Sequence, residues 1–321
     1  MKNSLICISL CTLLMMATAT AAAAEREVRI DCPWGTIYAT LATPDGDTQP
    51  STAVVIIAGS GPTDRNGNSA MGLSPASYRL LSDELCAAGF AVLRYDKRAI
   101  GRSTCPMELL ADLTFDDYVD DAARCIAFLR EQGFDKVVPI GHSEGSLIAL
   151  CAAQAVPVDG IVSLSGAGYR FDVILNRQLA GQLLATDMGL MVRASTILNS
   201  LAAGKRVDEV PQALQPLLGG HVQPFIMSQL RYDPANLARR TRQPMLIVTG
   251  GNDIQITPDN AERLHAAAPG SRLVILPLMT HVLKDCDSTD MMTQISGVYS
   301  NSTLPITEGL SAAITEFLQT I

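Results

Sequence analysis

The run Val137-Val138-Pro139-Ile140-Gly141-His142-Ser143-Glu144-Gly145-Ser146 constrains this chain more than any other stretch. A β-branched segment ends in Gly-His-Ser-Glu-Gly, and helix-forming residues follow at once. A G-x-S-x-G pattern between strand and helix describes a turn tight enough to hold the serine out at the top of a sheet, in a strained backbone conformation. Side chains at Gly141 and Gly145 would collide with the neighbouring strand and helix, so glycine is required on both sides. The helix that begins here places the backbone N–H of Glu144 beside the Ser143 hydroxyl. The pattern is short, and an idle serine in a glycine-rich turn would look the same. An acid and a histidine following in the right order decide between the two.

The rest of the chain alternates strands and helices. Glu27 to Asp31 and Thr36 to Ala42 read as an antiparallel edge hairpin. Ala53 to Ala58, Phe90 to Tyr95, Asp159 to Ser165 and Met245 to Gly250 are apolar runs suited to buried strands, and Arg272 to Leu276 reads as the last strand. Helical spacing runs over Tyr78 to Ala88, from Thr114 to Gly133, over Ser146 to Gln154, over Asn260 to Ala268 and over Thr307 to Gln319. Residues 169–240 break this rhythm with amphipathic helical pieces and no buried strand run, as a helical cap over the sheet end would. Within it, Met188, Leu190 and Met191 fit either an apolar acyl pocket or ordinary helix packing. The expected organisation is residues 25–168 and 241–321 as an α/β core with 169–240 inserted.

Residues 1–24 stand apart. Lys2, an apolar run from Leu5 to Met16 and small residues to Ala24 have the form of a secretory signal peptide. An exported protein, periplasmic or extracellular, is expected, with no membrane span once the signal is removed. A formal charge of −8 without a basic cluster makes nucleic acid a poor partner. Six cysteines follow the signal. Cys86, Cys125 and Cys151 fall on apolar helix faces as free thiols; Cys32 lies in the Cys32-Pro33-Trp34-Gly35 turn that joins the first two strands. Cys105 and Cys286 lie in loops where a disulfide is conceivable. No cysteine spacing resembles a zinc site.

The constellation then falls into order. Ser143 follows one strand, Asp253 follows a later one in Gly250-Gly251-Asn252-Asp253, and His281 follows the last in Met279-Thr280-His281. A parallel sheet gathers such residues along the C-terminal ends of its strands. Serine needs an imidazole to take its proton, and the imidazole needs a carboxylate on its other nitrogen. Asp259 and Asp285 are alternative acids, though neither directly follows a strand, and His142, His221 and His265 are less well placed than His281. The loop Gly59-Ser60-Gly61-Pro62 after an early buried strand offers the N–H of Ser60 or Gly61 to a developing oxyanion. Charges in Asp96 to Ser103 could order that loop through ion pairs or simply be solvated.

Together, Gly141-His142-Ser143-Glu144-Gly145, Gly250 to Asp253, Met279 to Lys284 and Ala58 to Arg65 resemble the α/β-hydrolase superfamily. They are especially similar to bacterial serine esterases related to the S9 peptidase and dienelactone hydrolase branches. The resemblance covers nearly all of the chain after the signal and is weakest in the cap. It implies the α/β-hydrolase fold, a mostly parallel central sheet flanked by helices with a helical cap insertion. It further implies Ser143 as nucleophile, Asp253 as acid, His281 as base, and the N–H groups of Ser60 and Glu144 as the oxyanion hole. The chain departs in having Ala58-Gly59 where many members have His-Gly, and Ala99 where related sequences often have Gly in an Asp-x-Arg-Gly loop. The expected activity is cleavage of small-molecule carboxylic esters with short to medium acyl chains, with no metal or organic cofactor. An aminopeptidase or other amidase, an acyltransferase, or a binding protein on a hydrolase scaffold are the alternatives.

Overall fold

The computed structural model describes residues 23–46, 49–183 and 186–321. The signal expected over 1–24 lies outside the described residues except for Ala23 and Ala24, and Ala24 already opens the first strand. One eight-stranded sheet organises the molecule: β1 (Ala24–Cys32), β2 (Gly35–Thr43), β3 (Thr52–Ile57), β4 (Ala91–Tyr95), β5 (Lys136–His142), β6 (Ile161–Leu164), β7 (Met245–Gly250) and β8 (Arg272–Leu276). The order is β1-β2-β4-β3-β5-β6-β7-β8. Strands β3 to β8 run parallel, and the β1–β2 hairpin joins β4 antiparallel.

The helices are α1 (Ser77–Ala87), α2 (Met107–Leu110), α3 (Phe115–Glu131), α4 (Glu144–Ala155), α5 (Phe171–Leu183), α6 (Met188–Ala202), α7 (Gln215–Leu218), α8 (Gln223–Gln229), α9 (Pro234–Arg240), α10 (Asp259–Ala267), α11 (Met291–Gln294) and α12 (Leu310–Thr320). A π-helical turn, Ile295–Tyr299, continues α11. Strands β3 to β7 are buried along nearly their whole length because helices cover both faces. On one face Phe115, Ile126, Leu147 and Leu264 pack with Val55, Leu93 and Ile247. On the other, Leu81, Leu85, Leu310 and Ile314 pack with Val54, Ile140 and Val248. Each such side chain stabilises the fold by roughly 1.5–3 kcal/mol.

Local chemistry sets the helix ends. Thr114 caps α3, and the Asp117 carboxylate accepts the Thr114 N–H at 2.8 Å. The closing helix starts at Leu310 rather than Thr307, because Gly309 turns the chain with φ 87°. Between β6 and β7, α5 to α8 supply a hydrophobic cluster of their own, built from Leu175, Leu179, Ile197, Leu198, Leu218 and Ile226 among others. Met191 belongs to that cluster and Met188 is exposed, so packing accounts for the first and solvent for the second. Helix α9 instead contributes Leu237 and Ala238 to the core on the α3 face.

All six cysteines after the signal are free, which corrects the conceivable Cys105–Cys286 bond. Thr104 bridges to Thr36 in β2, near one edge of the sheet, while Cys286 follows β8 at the other edge. Six strand-to-strand steps separate those edges, roughly 25–30 Å at the usual spacing. A disulfide requires Cα atoms within about 7 Å.

Candidate active site

The turn from β5 to α4 delivers Ser143 as the sequence requires. Ser143 has φ 55° and ψ −119°, and its N–H donates to the Leu164 carbonyl at 2.9 Å. A Cβ on Gly141 would sit 2.2 Å from the Gly145 carbonyl oxygen, and a Cβ on Gly145 2.2 Å from that of Ile57. Only glycine fits on either side. The Ser143 hydroxyl lies 3.0 Å from Nε2 of His281, and Nδ1 of His281 lies 2.8 Å from Oδ2 of Asp253. Asp253 also accepts the N–H groups of Gln255 and Ile256, both at 2.9 Å. With Asp253 as a pure acceptor, Nδ1 of His281 carries the proton and Nε2 is free to take one from serine. Burial pushes the Asp253 carboxyl up, but His281 and the N–H donors outweigh it and hold the group below the usual carboxylate range. The alternative acids lie elsewhere: Asp259 is bonded to Arg177 and Thr257, and Asp285 is exposed. Of the other histidines, His221 is exposed and His265 bonds Ser271.

The oxyanion loop is built as carefully. The Gly59 N–H donates to the Tyr78 hydroxyl at 3.1 Å, so it is not available to a ligand. The Ser60 N–H has no acceptor among the described residues, and that of Glu144 is at the first position of α4, where no intrahelical partner exists. Lys97, 2% exposed, donates from Nζ to the carbonyls of Gly59 at 2.6 Å and Gly61 at 2.8 Å. With those two carbonyls tied back to Lys97, the loop between them is fixed in shape. Asp96 clamps the same loop through Arg65, accepting its N–H at 2.8 Å and its Nη2 at 2.7 Å. The charged Asp96–Ser103 segment therefore does order the loop. Arg98 turns away to pair with Asp121 and Asp117.

Sequence reasoning passed over Tyr78 and the role of His142, and offered Lys97 only as one of several loop charges that could order the loop or be solvated. Nδ1 of His142 lies 2.7 Å from the Tyr78 hydroxyl, and Nε2 lies 2.8 Å from the His281 carbonyl oxygen. Burial, with the neighbouring His281 adding to it, pulls His142 down to about 3, so the ring is neutral. One consistent proton assignment has Gly59 N–H donating to Tyr78, Tyr78 O–H to Nδ1, and Nε2–H to the His281 carbonyl. The oxyanion loop and the backbone of the histidine are thus joined by two side chains. The only sequence signal was a polar residue directly before the serine, where the end of a buried strand leads one to expect an apolar one.

Two cavities, of about 120 and 100 Å³, meet at Ser143. His281, Tyr78 and Tyr299 line the first; Glu144, Leu147, Phe171, Ile174, Gln229 and Ile256 line the second. Neither Met188, Leu190 nor Met191 lines either one. A third cavity of about 410 Å³ adjoins both at Gln255. Among the described residues no group of three or more His, Cys, Asp or Glu side chains is placed to hold a metal ion. No described helix is long and apolar enough to cross a membrane.

The sequence matches the family described as Hydrolase_4, serine aminopeptidase, S33, over residues 71–285, a stretch that begins after the Gly59-Ser60-Gly61-Pro62 loop and runs past His281. The chain belongs to this family. Among curated relatives of this S33 chain, esterase EstD of Thermotoga maritima is 28% identical over 215 residues, covering 66% of this chain and 49% of that protein. The chain thus spans about half the length of that relative. Rhodomycin D methylesterase DauP of a Streptomyces species is 26% identical over 235 residues, covering 63% of this chain and 78% of its own. Solved structures show the α/β-hydrolase fold. Est1E of Butyrivibrio proteoclasticus, bound to ferulic acid, superposes with TM-score 0.60 at 17% identity, covering 91% of this chain and 98% of that one. The Pyrococcus furiosus esterase Pf2001 gives 0.59 at 16% identity, covering 93% and 91%. The chain has the α/β-hydrolase fold and belongs to the Hydrolase_4 family.

Proposed function

We propose that this S33 hydrolase is an exported serine carboxylesterase that works through an acyl-enzyme. The observation that carries the reading is the unbroken chain from Ser143 Oγ to His281 at 3.0 Å and on to Asp253 at 2.8 Å, with the N–H groups of Ser60 and Glu144 beside it. His281 takes the serine proton as Ser143 attacks the ester carbonyl, and the two N–H groups receive the oxyanion. The leaving alcohol takes that proton from His281. Water, activated by the same nitrogen, then releases the acid. An acyl cavity of about 100 Å³ supports short acyl chains. The motif likeness to the S9 peptidase and dienelactone hydrolase branches is part of this reading and adds small lactones to the substrates worth assaying. Export rests on the form of residues 1–24, and N-terminal sequencing of protein recovered outside the cytoplasm should find a start near Glu25.

The test is hydrolysis of p-nitrophenyl acetate, butyrate and octanoate beside Ser143→Ala. Activity on the short esters, falling toward octanoate and reduced at least about 10³-fold by the substitution, is the expected result. Cleavage of aminoacyl anilides in preference to esters would make the chain an amidase. Equal inertness of both proteins on all of these substrates would leave a scaffold that binds without cleaving.

A further inference from the structure

The cavity beside Glu144 holds an acceptor that lacks a donor. Its walls are largely apolar, with Leu147, Phe171, Ile174 and Ile256. Into this wall the chain sets a carboxylate, that of Glu144, one residue after the serine. Gln229, 3% exposed, donates its amide to Glu144 Oε2 at a long 3.3 Å. The other amide atom of Gln229, Oε1, is buried and has no partner among the described residues. Glu144 is half-buried, and its Oε1 has no hydrogen bond among the described residues. A carboxylate oxygen left without a donor beside apolar side chains is costly to desolvate, and it favours a ligand that brings one.

The sides of the reaction can be told apart. The leaving alcohol must receive its proton from His281, and His281 lines the first cavity but not the second. The acyl group therefore occupies the second, and Glu144 and Gln229 flank its first carbons. The charge of the donor follows from Lys97. This buried ammonium is close enough that it opposes the upward push of burial on Glu144, and Glu144 in turn opposes the downward push of burial on Lys97. Lys97 donates to the Gly59 and Gly61 carbonyls rather than to Glu144, yet its charge already acts on the carboxylate. A second ammonium would set two positive charges against one negative charge in a poorly solvated space.

Resting on the esterase reading, we propose that the acyl cavity selects esters of short hydroxy acids, a neutral hydroxyl near the ester carbonyl donating to the free oxygen of Glu144, which Gln229 holds in place. Plain acyl chains fit the cavity but leave that oxygen bare.

The experiment compares ethyl butyrate with ethyl 2-hydroxybutyrate, ethyl 3-hydroxybutyrate and ethyl 3-aminobutyrate by pH-stat, which keeps the leaving group constant. One of the hydroxy esters should exceed butyrate in kcat/KM by about tenfold or more, the range expected of a hydrogen bond to a buried charged acceptor. In Gln229→Leu and Glu144→Met the hydroxy-to-plain ratio should fall toward one. Because the readout is a ratio within one protein, a general loss of activity does not mimic it, and active-site titration with an organophosphate confirms that each variant is folded. A wild-type ratio near one for both hydroxy esters overturns the proposal while the esterase reading stands. Preference for the amino ester overturns it in favour of a cation. Inertness toward all four esters overturns both readings together.

Discussion

Tyr78 and Ala99 show how single residues carry consequences beyond their size. Tyr78 receives the Gly59 N–H and gives its own proton toward His142, all in a buried setting. Tyr78→Phe leaves both partners short of a bond, which should lower stability by about 1–3 kcal/mol in chemical denaturation. The same change should reduce kcat by about tenfold with KM little altered, since the groups it loosens act on the transition state. Ala99 has φ 58°, a region where a Cβ is strained, and that is the physical reason a glycine is common in similar loops. Ala99→Gly should therefore raise the denaturation midpoint, by about 0.5–1 kcal/mol in stability, with activity unchanged. The Ser143–His281–Asp253 contacts could be anticipated from sequence because each residue lies in the loop after a strand and the order along the chain is that of the sheet's strands. Tyr78 was not, because it sits on α1 with its ring covered by the core face of that helix, and nothing in helical spacing separates such a tyrosine from packing.

At the scale of elements, the strand ends and their loops set the geometry. Strand β3 runs between β4 and β5, so the loop after it is caught between Lys97 from the end of β4 and Ser143 from the end of β5. A lysine just past a strand reads in sequence as either a loop-ordering or a solvated charge, and the sheet order shows that it is buried under the neighbouring loop. Lys97→Met removes both of its bonds to loop carbonyls while keeping most of its volume. It should lower kcat by about 10- to 100-fold, with faster hydrogen exchange at Ser60 as the structural sign. Gly145→Ala is harsher: with Ile57 backbone 2.2 Å from the added methyl, it should give little or no soluble protein. The elements of the core were readable because apolar runs and helical spacing alternate cleanly there. The cap was readable only as helical. Which face of α6 turns inward depends on neighbours that α5 and α8 supply, so Met191 went into a cluster rather than to the substrate.

For the whole molecule, acid is the first stress to consider. His142 is held neutral at about 3, far below the value of a histidine in an unfolded chain. Between about pH 6.5 and 3 the unfolded chain binds a proton that the native one refuses, so stability falls as pH drops through that window and is restored above it. Thermal midpoints measured from pH 7 to pH 4 should fall, and His142→Gln should flatten the slope. The cap responds to a different kind of pressure. Helices α5 to α8 close a hydrophobic cluster among themselves, while α9 is anchored in the main core. Changes inside that cluster can accumulate without disturbing the strands that hold Ser143, Asp253 and His281. Grafting residues 171–230 from a relative should therefore change the cavity walls that Phe171, Ile174 and Gln229 supply while leaving the Ser143–His281–Asp253 contacts in place.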